Sequence, residues 1–155
     1  MTMRPALLFV CLGNICRSPL AEAAMRQQAE AAGLDVYVES AATASYHTGK
    51  PIDERSLIVA RKHGIDLSDH FARQVQAEDF MRFTHIFAID KGVMNSLRQI
   101  VPQGATSSLE MLLDNVPGRQ GQSVADPYFS EQDAFDITWA DVSAAAAALV
   151  QRFKR

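Results

Sequence analysis

The sequence predicts a doubly wound α/β fold, a four-stranded parallel sheet flanked by helices, on three observations. Short apolar or alternating runs recur along the chain, helix-patterned stretches separate them, and a glycine-bearing loop joins the first run to the first helix. Strands that alternate with helices pair in parallel through crossover connections. Such sheets bind ligands at the carboxyl ends of their strands. A length of 155 residues suits one domain, residues 1–155, able to bury its own core.

Each element has its own reason. Residues 6–10 form an unbroken apolar run, the mark of a strand buried on both faces. Residues 19–32 read as a helix, with Ser18 as its cap, Pro19 in the first helical position and Gly33 as its stop. Residues 36–40 alternate as a second strand, and residues 52–63 form a helix that Gly64 ends. A third buried strand spans 85–89, followed by a helix over 91–100 and a breaker at Pro102. Residues 106–109 are the expected short fourth strand. Pro117, Gly118, Gly121 and Pro127 give residues 115–130 the composition of a long loop. Ser130 with Asp133 predicts a capping-box start for a last helix that runs to Phe153. Its alanine run, 144–148, suits a close-packed face, and Arg152, Lys154 and Arg155 suit the negative end of its dipole.

Composition excludes several function classes. With 48% apolar and 21% charged residues the chain is an ordinary globular one rather than a disordered one. A net charge of −3 supplies no general field for nucleic acid or anionic lipid. No apolar run approaches the roughly 18 residues of a membrane span, and the first apolar stretch lacks the flanks of a signal peptide. Two cysteines are too few for a disulfide scaffold, which points to a reducing, cytoplasmic setting. Together with four scattered histidines they make a structural zinc site a poor fit, so neither metal nor cofactor is expected.

The chemistry concentrates in Cys11-Leu12-Gly13-Asn14-Ile15-Cys16-Arg17-Ser18, directly after the first strand. Five residues separate Cys11 from Arg17, and a helix follows at once. A short loop that enters a helix N-terminus turns successive backbone N–H groups into a nest for a tetrahedral oxyanion. Gly13 is expected to supply an unusual backbone angle, and Asn14 tolerates the left-handed region. Arg17 offers a planar fork for two phosphoryl oxygens. Cys11 lies at the floor, where the helix dipole and Arg17 favour a thiolate nucleophile. The Ser18 hydroxyl is placed to stabilise that thiolate, also as a leaving group. A cysteine at the end of a buried strand is otherwise a small core hydrophobe, and an arginine a surface residue. For Cys16 both readings stay open, since the chemistry does not require it.

The run Val10-Cys11-Leu12-Gly13-Asn14-Ile15-Cys16-Arg17-Ser18-Pro19-Leu20-Ala21-Glu22-Ala23 resembles the active-site signature of the low-molecular-weight protein tyrosine phosphatases. The likeness continues in Glu39-Ser40-Ala41-Ala42-Thr43, His63-Gly64-Ile65, His70-Phe71-Ala72-Arg73-Gln74 and Asp126-Pro127-Tyr128, in the family's order. The resemblance implies a metal-independent hydrolase of phosphotyrosine proteins and small aryl phosphates that works through a cysteinyl-phosphate and releases inorganic phosphate. It makes Asp126 the general acid and Tyr46 and Tyr128 the walls of the substrate cleft. Two aromatic walls would admit phosphotyrosine and leave phosphoserine short of Cys11. It further implies that Asn14, Ser40 and His70 hold the loop in shape, and that Cys16 captures an oxidised Cys11 as a disulfide. His47, His63 and His85 read as surface histidines, and Asp90 matches a family aspartate with no role assigned. Phe129 stands where the family commonly has a second tyrosine, and Val93 where it often has asparagine.

Three rival functions fit less well. Arsenate reductase chemistry passes oxidation to cysteines further down the chain, and none follows Cys16. A protein arginine phosphatase resembles this loop with threonine in place of Ile15, and isoleucine offers no hydroxyl. A phosphotyrosine-binding module would need Arg17 and the nest but neither Cys11 nor Asp126.

Overall fold

A computed structural model describes residues 4–154, and Arg155 lies outside them. Four strands, β1 (Ala6–Cys11), β2 (Tyr37–Ala42), β3 (His85–Ala88) and β4 (Ser108–Met111), form one sheet in the order β2-β1-β3-β4, every pairing parallel. The order reverses beside β1: the chain leaves it toward β2 and later returns on its other side as β3. The carboxyl end of β1 is therefore the switch point at which open α/β sheets take ligands.

The helices are α1 (Arg17–Ala32), α2 (Glu54–Lys62), the single-turn α3 (Asp79–Arg82), α4 (Lys91–Ile100) and α5 (Gln132–Phe153). Strand alternation sorts the core into two halves. Leu7 and Phe9 pack with Leu20, Met25, Phe135, Val142 and Leu149 on the side of α1 and α5. Leu8 and Val10 pack with Phe80, Phe83, Met94 and Leu97 on the side of α3 and α4. Both faces of β1 are thus covered, as its unbroken apolar run requires. Ala145 and Ala146 of α5 are buried, which lets α5 lie close against the alanine-rich face of α1. No helix among the described residues is long and apolar enough to cross a membrane.

Several boundaries differ from those predicted, each for a local reason. α1 begins two residues early, so Pro19 is its third residue; proline is tolerated there because the first-turn N–H groups have no intrahelical partner. Ser18 is not the cap, since Cys16 holds that place without a side-chain bond. Asp53 caps α2 by accepting from the Arg55 N–H, so that helix starts later than predicted. The capping box at Ser130 does not form: Glu131 precedes α5 and makes no side-chain cap bond. β4 starts two residues later than expected, and α3 is too short to carry a periodic signal.

Candidate active site

β1 ends on Cys11 and α1 starts on Arg17, so residues 12–16 must turn the chain in one tight loop. The loop's carbonyls are drawn outward by neighbouring segments. The Cys11 and Leu12 carbonyls accept from the N–H groups of Thr43 (3.0 Å) and Ala44 (3.0 Å). The Asn14 carbonyl accepts from His70 Nε2 at 2.9 Å, the Ile15 carbonyl from Asp53 N at 2.9 Å, and the Cys16 carbonyl from Ser56 Oγ at 3.2 Å. A trans peptide holds its carbonyl and the following N–H on opposite sides. The N–H groups of Leu12, Gly13, Ile15, Cys16 and Arg17 are thereby turned inward, a concave set of donors at a helix N-terminus. Because a carbonyl only accepts, His70 Nε2 carries the proton in this contact.

Asn14 takes the left-handed conformation at φ 58°, as expected of it, and is fully buried. Its amide donates to Ser18 Oγ (2.8 Å) and Ser40 Oγ (3.0 Å), while its oxygen accepts from Arg73 N (3.1 Å). Ser40 Oγ in turn donates to the buried Glu22 carboxylate at 2.5 Å, a member of the network that sequence reasoning missed. Gly13 corrects another expectation, because its backbone is not left-handed. Its requirement is space, since a Cβ there would stand 2.8 Å from the His47 ring.

The sulfur of Cys11 sits buried on the cradle floor. Asn14 N donates to it at 3.2 Å, and Ser18 Oγ lies 3.0 Å away. Ser18 Oγ already accepts from Asn14, so its one proton lies between two acceptors, the sulfur at 3.0 Å and the Ala41 carbonyl at 3.4 Å. Ser18 thus serves the nucleophile rather than the helix end. Arg17 is buried beside it, with Nη1 donating to Asp90 Oδ2 (2.6 Å) and to the Val124 carbonyl (2.9 Å). This gives Asp90, which also caps α4 by accepting from Val93 N, a task the sequence left open: it fixes the guanidinium plane. Nε and Nη2 of Arg17 carry no hydrogen bond within the protein among the described residues, and Nη2 stands 3.8 Å from Asp126 Oδ2.

Above the floor opens a cavity of about 320 Å³ lined by the cradle, Tyr46, His47, Asp126, Tyr128 and Phe129. Tyr46 and Tyr128 both line it, with the His47 ring between them at 4.8 Å and 6.3 Å from their ring centroids. His47 is therefore half-buried in the rim rather than free on the surface. His63 is exposed, as expected, and stacks on Trp139, whereas His85 departs from the expectation, half-buried between Phe87 and Phe153. Asp126 is partly exposed, and its Oδ1 accepts from Tyr128 N at 3.0 Å. Phe129 projects almost wholly into solvent beside the opening.

Cys16 is buried at the end of this loop and lines the same cavity as Cys11. Its thiol donates to Asp53 Oδ2 at 3.7 Å. Burial first, then the negative groups Asp53, Cys11 and Asp126, push its pKa up, so it rests as a neutral thiol. Among the described residues no group of three His, Cys, Asp or Glu side chains is placed to hold a metal.

A nest of inward amides over a buried sulfur, closed by an arginine and faced by a carboxylate, is built for phosphoryl transfer to cysteine. That places the fold and site in the class of cysteine-dependent phosphatases. Residues 6–155 match the family model described as low molecular weight phosphotyrosine protein phosphatase, and the chain belongs to that family. The low molecular weight phosphotyrosine protein phosphatase of Schizosaccharomyces pombe is 38% identical over 138 residues, covering 87% of this chain and 88% of that protein. The crystal structure of Primo-1 superposes with a TM-score of 0.92 at 35% identity, over 97% of this chain and 99% of that one. The structure of a Drosophila arginine phosphatase superposes with a TM-score of 0.90 at 28% identity, over 99% of both chains.

Proposed function

We propose that this chain, acting as a single catalytic domain, is a metal-independent protein tyrosine phosphatase that also hydrolyses small aryl phosphates. The substrate dianion enters the nest of residues 12–17 and the free edge of Arg17. The Cys11 thiolate attacks phosphorus in line, the phosphorus–oxygen bond breaks, and Asp126 gives its proton to the leaving phenolate. Water then attacks the cysteinyl-phosphate, Asp126 takes back a proton, and inorganic phosphate leaves with the thiolate restored. The amides and Arg17 stabilise the equatorial oxygens in both steps. Ser40 and His70 act at one remove by holding Asn14 and its carbonyl. Tyr46 and Tyr128 flank the aryl ring. The observation that carries this reading is the outward pull on the loop's carbonyls, which aims a ring of amides at the point above the Cys11 sulfur.

The activity of the Drosophila neighbour does not transfer readily, because Ile15 supplies no hydroxyl beside the leaving group. A reducing cytoplasm suits the paired free thiols. The direct test is turnover of p-nitrophenyl phosphate and a phosphotyrosine peptide with and without EDTA. Equal rates in both conditions are expected; an activity lost to chelator and restored by metal would overturn the reading.

Cys16 fits a protective role in the same scheme. Peroxide oxidises the Cys11 thiolate to a sulfenic acid; the Cys16 thiol displaces water from it to form a disulfide, and an external thiol reduces that bond. Asp53, which accepts from the Cys16 S–H, can take that proton as the sulfurs join and pass it to the departing hydroxide, which leaves as the water. Peroxide-inactivated wild type is expected to regain activity with dithiothreitol, whereas Cys16→Ser keeps catalysis and loses that recovery. Equal recovery in both proteins would reduce Cys16 to a packing residue.

A further inference from the structure

Arg55, in the first turn of α2, takes part in none of the steps above, yet it ties that helix to the segment that carries Asp126. Its Nε and Nη2 grip the two oxygens of Asp53 at 3.0 Å and 2.8 Å. Its remaining arm, Nη1, donates to the Ser130 carbonyl at 2.7 Å. The guanidinium carbon lies 4.5 Å from the Phe135 ring centroid and 5.7 Å from that of Tyr128. From the other side, Gln132 Nε2 donates to the Arg55 carbonyl at 3.0 Å. Asp53 is itself tied to the cradle and the helix, since its N–H holds the Ile15 carbonyl and its carboxylate caps α2. A continuous line of hydrogen bonds thus runs from the cradle through Asp53 and Arg55 to Ser130.

The segment bearing Asp126 is held at two ends. Upstream, Val124 N donates to the Ile89 carbonyl at 3.0 Å and the Val124 carbonyl accepts from Arg17. Downstream stands the Arg55 grip on Ser130. Between them only Pro127 is buried. The grip reaches the carboxylate through two short turns, in which Ser130 N donates to the Pro127 carbonyl (2.9 Å) and Tyr128 N to Asp126 Oδ1 (3.0 Å).

We propose that Arg55 is a positioning residue for the general acid: anchored on Asp53, it fixes the turn at residues 126–130 so that Asp126 meets the leaving oxygen. This rests on the reading of Asp126 as the acid. Proton transfer needs heavy atoms within about 2.6–3.2 Å, and a displacement of about 1 Å can cost up to about 10²-fold in rate. Only a planar, multi-armed cation grips a carboxylate and a carbonyl at once, which is why arginine rather than lysine stands here.

The test compares kcat/KM for phenyl phosphate, whose phenolate needs a proton, with that for 2,4-dinitrophenyl phosphate, whose leaving group does not. Their ratio cancels any common loss of binding. Arg55→Gln is expected to lower the ratio about tenfold, within the span set by acid catalysis, and Arg55→Lys to lower it less. Asp126→Asn alone lowers it further, and adding Arg55→Gln to Asp126→Asn brings no additional fall. A loss shared equally by both substrates, or an undiminished effect in the Asp126→Asn background, would overturn the positioning role. If Asp126→Asn itself leaves the ratio unchanged, the acid assignment fails instead, a separate result. Should Arg55→Gln not fold, Arg55→Lys decides, because its amine keeps the charge but cannot reproduce the two-armed grip on Asp53 together with the Ser130 bond, so a smaller fall is still expected; an unchanged ratio then overturns the proposal.

Discussion

Cys11→Ser is expected to abolish turnover of p-nitrophenyl phosphate, by at least about 10⁴-fold, while phosphate and vanadate still bind. The two halves of this result have different causes. Binding depends on the amide nest, which is shaped by Thr43, Ala44, Asp53, Ser56 and His70 pulling on backbone carbonyls, and none of these touches the sulfur. A serine oxygen on the floor keeps an acceptor for the Asn14 N–H and the Ser18 hydroxyl. Turnover depends on a thiolate, and an alcohol with no adjacent base is a far weaker nucleophile. Calorimetric titration with phosphate, paired with a turnover assay, separates the two. Substantial residual hydrolysis by the serine variant would sink the cysteinyl-phosphate mechanism.

Asp126→Ala is expected to lower kcat with phosphotyrosine by about 10²–10⁴-fold, the usual scale for a lost general acid. With a leaving group that departs as a stable anion the cost is much smaller. The fold is not at stake: Asp126 is partly exposed, and its contacts are the Tyr128 N–H and a 3.8 Å approach to Arg17. Equal losses across leaving groups would assign the carboxylate another task.

The cradle was legible because its parts are local. A strand, a short loop with Gly13 and Asn14, and a helix follow one another, so the concavity and its chemistry can be read along the chain. Asp90 was not legible in the same way. Its contact with Arg17 exists because β3 lies beside β1, and that strand order follows from topology rather than from any residue near Asp90. Ser18 misled because a hydroxyl before a helical stretch reads the same whether it caps the helix or faces a sulfur. Ser130 misled similarly, since Arg55 engages its carbonyl and Pro127 its N–H. Glu22 looks like an ordinary solvated helix acid until Ser40 is seen to donate to it. His47 could not be told from a surface histidine without knowing that Gly13 leaves room for its ring. For Asp90, Glu22, His47 and the Ser130 carbonyl the partner came from a distant segment, and periodicity carries no record of distant partners.

The segment after β2 does two jobs with different atoms. Its backbone, through the Thr43 and Ala44 N–H groups, shapes the cradle, whereas its side chains, Tyr46 and His47, face the incoming substrate. Those two sets of atoms are independent under substitution: exchanging a side chain alters what is admitted and leaves the amide donors of Thr43 and Ala44 where they were. Substrate preference can therefore drift by single replacements at positions 46 and 47 without the reaction centre being rebuilt each time. A protein organised in this way can acquire new clients while its chemistry stays fixed.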